Sequence, residues 1–125
     1  MMLIDPDTPI EAYEMESLYS RNSKKKFKLV FSDEFNVDGR SFYPGEDPFW
    51  EAVDLHYWQT GNLEWYDPAA VTTRNGALRI QLSEHIEHNS RFRGGMLQSW
   101  NKFCFRGGIV LASVQLPGYT NVGGL

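Results

Sequence analysis

Three places in this chain of 125 residues combine side chains able to do chemistry. Glu84-His85-Ile86-Glu87-His88 holds the ingredients of a metal site. The zinc-protease pattern, however, needs His-Glu-x-x-His on a helix, so that both imidazoles share one face. Here the two His stand three apart, in a segment that leaves a strand and enters Asn89-Ser90, which predicts a solvated loop and no metal. Cys104, flanked by Phe103 and Phe105, could be a nucleophile only with a base and an orienting group beside it. Nothing nearby supplies them, so a packed thiol is expected. The third place is Gly61-Asn62-Leu63-Glu64-Trp65-Tyr66, an amide, a carboxylate and two adjacent aromatics after a turn. Sugars are held by such mixtures, ring faces taking the C–H surface and amides or carboxylates the hydroxyls. Ordinary core packing of the aromatics is the competing reading, and composition alone favours it.

Glycoside hydrolysis needs two carboxylates across the scissile bond, about 5 Å apart in retaining enzymes. Asp33-Glu34 and Glu46-Asp47 are sequence neighbours, which face apart on a strand. No Glu-x-Asp-x-x-Glu occurs, so no catalytic residue is assigned in this chain.

The elements that would position these groups read as β. Leu29-Val30-Phe31 predicts a strand ending at Asp33-Glu34-Phe35, and Asp38-Gly39 a turn. Residues 77–82 alternate, with Leu78, Ile80 and Leu82 on one face. Asn75-Gly76 before them, after Val71-Thr72-Thr73, predicts a hairpin. Residues 95–101 read as a further strand. After Gly107-Gly108, residues 109–116 alternate again, with Val110, Ala112, Val114 and Leu116 expected inward. At the start, Thr8-Pro9-Ile10-Glu11 has the form of a capping box opening a short turn or helix. Ser20-Arg21-Asn22-Ser23 reads as loop, and Lys24-Lys25-Lys26-Phe27-Lys28 as a solvated basic flank of a strand. Short strands, Gly/Asn/Pro turns and no long helix define an all-β sandwich or barrel.

Composition narrows the class. Twelve basic against sixteen acidic residues leave a net charge of −4, so no overall basic excess points to nucleic acid. Four Trp, six Tyr and eight Phe argue against a disordered chain, and eleven of these rings lie between Phe27 and Tyr66. With one cysteine, no internal disulfide can form. No apolar run approaches the ~18 residues of a membrane span, and Met1-Met2-Leu3-Ile4 is too short for a signal-peptide core.

A resemblance adds to this reading. Asp5-Pro6-Asp7-Thr8-Pro9 opens it, and the run Leu29-Val30-Phe31-Ser32-Asp33-Glu34-Phe35-Asn36-Val37-Asp38-Gly39-Arg40 continues it. Trp50-Glu51-Ala52-Val53-Asp54-Leu55-His56-Tyr57-Trp58, Asn62-Leu63-Glu64-Trp65-Tyr66-Asp67-Pro68-Ala69-Ala70 and Gly94-Gly95-Met96-Leu97-Gln98-Ser99-Trp100-Asn101-Lys102-Phe103-Cys104-Phe105 follow in order. The string resembles the fungal SKN/KRE-type beta-glucan synthesis-associated proteins, of the glycoside hydrolase family 16 group. The resemblance implies a concanavalin-like β-sandwich (jelly roll), incomplete here, with residues 1–28 as a juxtamembrane-like segment and 29–125 as the N-terminal part of the sandwich. It implies β-glucan as partner; no nucleic acid, cofactor or metal is expected beside it. It further implies retaining glucosidase or transglycosylase chemistry in β-1,6-glucan biosynthesis and cell-wall organisation. Such relatives are single-pass type II membrane proteins of the secretory pathway (ER, Golgi, plasma membrane), with the span upstream of Asp5. Their catalytic Glu-x-Asp-x-x-Glu strand lies downstream of the segment matching residues 121–125, so this chain is expected to be inactive alone. Asn62, Glu64 and Trp65 match a segment beside the glucan cleft, which raises sugar contact above packing there; Trp100 is a further substrate-binding candidate. One departure is Leu111, which stands where relatives carry an acid on a polar face. Two other expectations stand beside this one: a non-catalytic, lectin-like carbohydrate-binding module, and a truncated product with no separate activity.

Overall fold

The computed structural model describes residues 2–17 and 26–118. Among them the regular structure is strand, with three short 3-10 turns and no α-helix, so the fold is all-β as the patterning predicts. Strands β1 (Glu14–Glu16) and β2 (Lys26–Lys28) pair antiparallel. β3 (Glu51–Ala52) pairs antiparallel with β9 (Leu97–Gln98). β5 (Val71–Thr73) and β6 (Leu78–Ile80) form the hairpin announced by Asn75-Gly76, both with positive φ. Asn and Gly tolerate the left-handed conformation that such a turn demands. β7 (Ser83–Glu87) and β8 (Ser90–Gly94) form a second hairpin, and β4 (Glu64–Tyr66) joins β8 in parallel, giving the order β4-β8-β7.

Backbone bonds stitch these small sheets together. Leu55 and Tyr66 exchange bonds of 3.0 and 2.8 Å, Val53 N donates to Met96 O, and Gln81 N to Ala70 O. The core lies where they meet: Phe42, Ala52 and Val71 are buried, with Phe35, Trp50, Leu78 and Leu97 against them. A second aromatic group forms around Phe31, which stacks on Phe103 at 4.4 Å and meets Phe49 edge-on at 5.1 Å.

Gly95 shows how closely the core is filled. A Cβ there would stand 2.6 Å from Val71 Cγ2 and 3.1 Å from Ile80 Cγ2. Val71 is β-branched and buried, so it has no other rotamer to retreat to. Gly95→Ala is therefore expected to cost about 1–3 kcal/mol, the range for overpacking. At Gly94 the nearest atom is the flexible Glu64 Cγ, at 3.1 Å, so Gly94→Ala should cost well under half as much. Urea titration of the two variants side by side checks the ordering.

Several expectations are corrected. The strand expected after the basic run lies within it, at Lys26–Lys28, and residues 29–35 form no ladder. The side chain of Thr8 caps no helix: the 3-10 turn Ile10–Tyr13 has Pro9 at its cap and no side-chain bond there. Buried Thr8 instead lies 2.7 Å from both Ser32 Oγ and Glu34 Oε1, tying the N-terminal segment to residues 32–34. Of residues 95–101 only Leu97–Gln98 are strand. Residues 83–88 are not a loop but β7 and its turn. Cys104 is exposed, not packed. Residues 109–116 form no strand and have no ladder partner among the described residues, so Val110, Val114 and Leu116 are 72%, 70% and 78% exposed, and Ala112 is exposed too, instead of inward. Alternation sets which side chains share a face; burial needs a second element on that face, and none of the described residues provides it. The loop reading at 20–23, Lys24-Lys25 and the segment 121–125 lie outside the described residues.

Among the described residues the buried apolar side chains are Phe42, Ala52, Val53, Ala70 and Val71, so the core is small and each of its members matters.

Candidate functional site

The loop before β4 is built to hold Asn62. A 3-10 turn, Trp58–Thr60, closes on Gly61 in the left-handed conformation (φ 67°). This returns the chain so that Thr60 Oγ1 meets Asn62 Oδ1 at 3.0 Å and His56 Nε2 meets Asn62 O at 3.0 Å. The Asn62 amide then donates to Glu64 Oε1 at 2.9 Å, and Leu63 N donates to Glu64 Oε2 at 3.1 Å. The carboxylate is thus aimed by an amide and a backbone N–H before any ligand arrives. Both residues are partly exposed and keep acceptor and donor capacity.

Period two along β4 separates the candidates. Asn62, Glu64 and Tyr66 share one face; a Cβ at Gly94 would touch Glu64 Cγ and Tyr66 Cδ1 together. Burial raises the Tyr66 phenol above its ordinary range, and the Glu64 charge adds to it. Trp65 points the other way. Its Nε1–H donates to Asp54 Oδ1 at 2.6 Å, and its ring stacks on His88 at 4.1 Å. The structure therefore brings Asn62 and Glu64 together, sets Trp65 behind them as the anchor of the β7–β8 turn, and leaves one face of that indole under an imidazole. Trp100 is 74% exposed in the turn at residues 99–102. That turn is held by Lys102 Nζ on Asp47 O at 2.8 Å, and none of the described hydrogen bonds or ring pairs joins Trp100 to Asn62, Glu64 or Trp65.

Sequence reasoning missed His56, Thr60, Asp54 and His88. His56 and Thr60 come into play only because the 3-10 turn folds back. Asp54 and His88 lie eleven residues before and 23 after Trp65, with no periodicity connecting them. His85 and His88 lie 3.6 Å from opposite oxygens of Glu87. Among the described residues no group of three or more His, Cys, Asp or Glu side chains is arranged to hold a metal ion.

A larger cavity, about 780 Å³, opens beside Asp5, Asp7, Asp33, Arg40 and Asp47. Its polar groups already serve one another. Arg40 binds Asp33 at 2.7 Å and Asp47 at 2.8 Å, Trp50 Nε1–H donates to Asp33, and Asp47 accepts from the N–H groups of Phe49 and Trp50. Asp5 and Asp7 accept from Glu34 N and Asn36 Nδ2. This is a brace for the loops, with few free groups left for a ligand.

The fold and the site define an all-β chain carrying a half-exposed amide–carboxylate pair backed by an anchored indole. The family model for the beta-glucan synthesis-associated protein SKN1/KRE6/Sbg1 matches residues 1–125. The chain belongs to that family. It is 50% identical over 123 residues to the beta-glucan synthesis-associated protein KRE6 of Saccharomyces cerevisiae. It is 49% identical over a 127-residue alignment to KRE6 of Candida albicans, and 50% identical over 125 residues to SKN1 of Saccharomyces cerevisiae. These alignments take in 98%, 100% and 98% of the chain, but the chain spans only 15–16% of the relatives' length. No solved structure matches it.

Proposed function

We propose that these residues form the N-terminal part of a family 16-type jelly roll whose β4 face contacts a β-glucan chain. The work of the whole protein would be retaining glucosidase or transglycosylase chemistry in β-1,6-glucan synthesis and wall organisation. The catalytic carboxylates would come from sequence beyond these 125 residues, and a type II membrane span would hold the protein in the secretory pathway. The observation that carries the reading is the Asn62–Glu64 pair, fixed at 2.9 Å and open to solvent. A pre-aimed carboxylate accepts two sugar hydroxyls with little ordering cost. The names of the relatives, all beta-glucan synthesis-associated proteins, supply the polymer.

Isothermal titration of the chain with β-1,6- and β-1,3-linked gluco-oligosaccharides tests it. Hydrogen bonds to a charged group are worth about 1.5–3 kcal/mol, so Glu64→Ala should weaken binding about ten- to hundredfold. Asn62→Ala should follow, because it releases the carboxylate. Trp65→Ala acts through the turn it anchors, and Trp100→Ala should change affinity least. Laminarin and pustulan should bind without being cleaved. Failure of the wild-type chain to bind either glucan, or indifference of binding to Glu64→Ala, sinks the proposal.

A lectin-like module is the second reading. It is favoured by the same pair, since Glu64 is bonded to an amide and not set against a second carboxylate. A full-length relative that binds glucan but never turns it over would select it.

A further inference from the structure

Asn62 also borders a second cavity, which the glucan reading above does not use. It holds about 350 Å³ and is lined by His56, Asn62, Leu63, Asn89, Ser90 and Phe92, with Arg91 at the same wall. We propose that this cavity is a subsite for one neutral glucosyl unit, adjoining the unit held by Asn62 and Glu64. The proposal rests on the glucan reading and extends it across the β7–β8 turn.

Four observations support it. The volume is at the small end for ligand pockets, which suits a sugar ring and excludes an extended polymer stretch. The lining pairs an apolar strip, Leu63 and Phe92, with amides, a hydroxyl and a guanidinium, the mixture that takes a sugar's C–H face and its hydroxyls together. Leu63 is 71% exposed, a cost that the packing of the chain leaves uncompensated. No carboxylate lines the cavity, so it offers nothing to a cation, and its imidazole is already engaged on Asn62 O.

The walls are also fixed in advance. His88 and Asn89 both hold left-handed backbone (φ 49° and 64°), which sets the turn. The Trp65–His88 stack pins that turn to β4, and the parallel register places Glu64 opposite Phe92. One wall, residues 90–92, is strand β8, and the other, His56, Asn62 and Leu63, belongs to the loop that leads into β4, the strand paired with β8.

The test uses the 125-residue chain and a ladder of neutral gluco-oligosaccharides from one to six units, read by titration calorimetry. Arg91→Ala removes a donor, and Asn89→Gly removes the amide while keeping the left-handed turn. For the wild type, affinity should rise at the length that first fills the second cavity. Each variant should lose about five- to tenfold at that length, the worth of one net hydrogen bond, and nothing for glucose itself. Far-UV circular dichroism and the urea midpoint should stay at wild-type values. If both variants track the wild type at every length while Glu64→Ala abolishes binding, the subsite is refuted and the Asn62–Glu64 reading stands. If the wild type binds no glucan, both fall. Binding of inorganic phosphate that Arg91→Ala removes, with glucan affinity unchanged, would make the cavity an anion site and overturn the proposal.

Discussion

Arg40→Ala is expected to abolish the cooperative unfolding transition of this chain. The guanidinium bridges two carboxylates, Asp33 at 2.7 Å and Asp47 at 2.8 Å, with side chains only 13%, 7% and 5% exposed. It also sits 5.3 and 5.2 Å from the rings of Phe35 and Phe42. Removing one member of a buried ion pair costs about 3–5 kcal/mol, because the partner is left charged and unpaired. Here two partners are stranded. A typical domain has about 5–15 kcal/mol in total, and this chain's small core puts it at the low end or below. Arg40→Lys should fall between, since one ammonium cannot reproduce the fork that meets both carboxylates.

Acid provides an independent signature. Burial alone would push the Asp33 carboxyl up. The Arg40 guanidinium, the Phe35 N–H and the Trp50 indole N–H outweigh it and hold the carboxyl below its ordinary range. A depressed folded pKa contributes stability that is present above the unfolded value, about 3.9, and is lost as pH falls through the folded one. The wild-type urea midpoint should therefore drop below about pH 4. In Arg40→Ala the cation's share of that lowering is gone while the Phe35 and Trp50 N–H groups remain, so acidification toward pH 4 should cost the variant less than the wild type. A shallower acid dependence in Arg40→Ala than in the wild type, followed by tryptophan fluorescence, is the expected result; parallel slopes would show that Arg40 does not neutralise this pair.

Phe42→Ala should be as severe. Phe42 is 0% exposed, the largest fully buried side chain among the described residues. Its ring meets Phe35 edge-on at 6.4 Å, and its carbonyl accepts from Ala52 N at 2.8 Å, so it joins the 33–42 loop to β3. Phe-to-Ala truncations in cores cost about 3–5 kcal/mol through lost transfer energy and the cavity left behind. Phe42→Leu, which refills most of the volume, should cost roughly half as much. Urea midpoints at neutral pH in stabilising sulfate check both. A Phe42→Ala midpoint within error of the wild type would place the core elsewhere.

How far the sequence could be read varies with how local the cause was. The β5–β6 hairpin was legible because Asn75-Gly76 carries its own turn geometry. The β7–β8 hairpin was not, since its turn pair His88-Asn89 lacks the glycine that marks such turns, and the stack of His88 on Trp65 joins residues 23 apart. Thr8 follows the same logic: a capping box is a local pattern, and the Glu34 carboxylate, 26 residues further on, takes the hydroxyl of buried Thr8 instead. Phe35 occupies left-handed backbone at φ 54°, against its own preference, because the Asp33 side chain accepts its N–H and Arg40 lies over its ring.

The all-β class, the family and the turn of the β5–β6 hairpin are legible from the sequence alone. These follow from residue type and near-neighbour spacing. Only the tertiary structure decided that Asn62 and Glu64 act as one unit while Trp65 faces away, that His56 and the 88–91 turn border the same ground, and that Arg40 braces two acids. It also decided that residues 109–116 stand open, since a face is buried by its partner and not by its own pattern. Each of these depends on which distant segments meet, and that is set by burial and pairing across the whole chain.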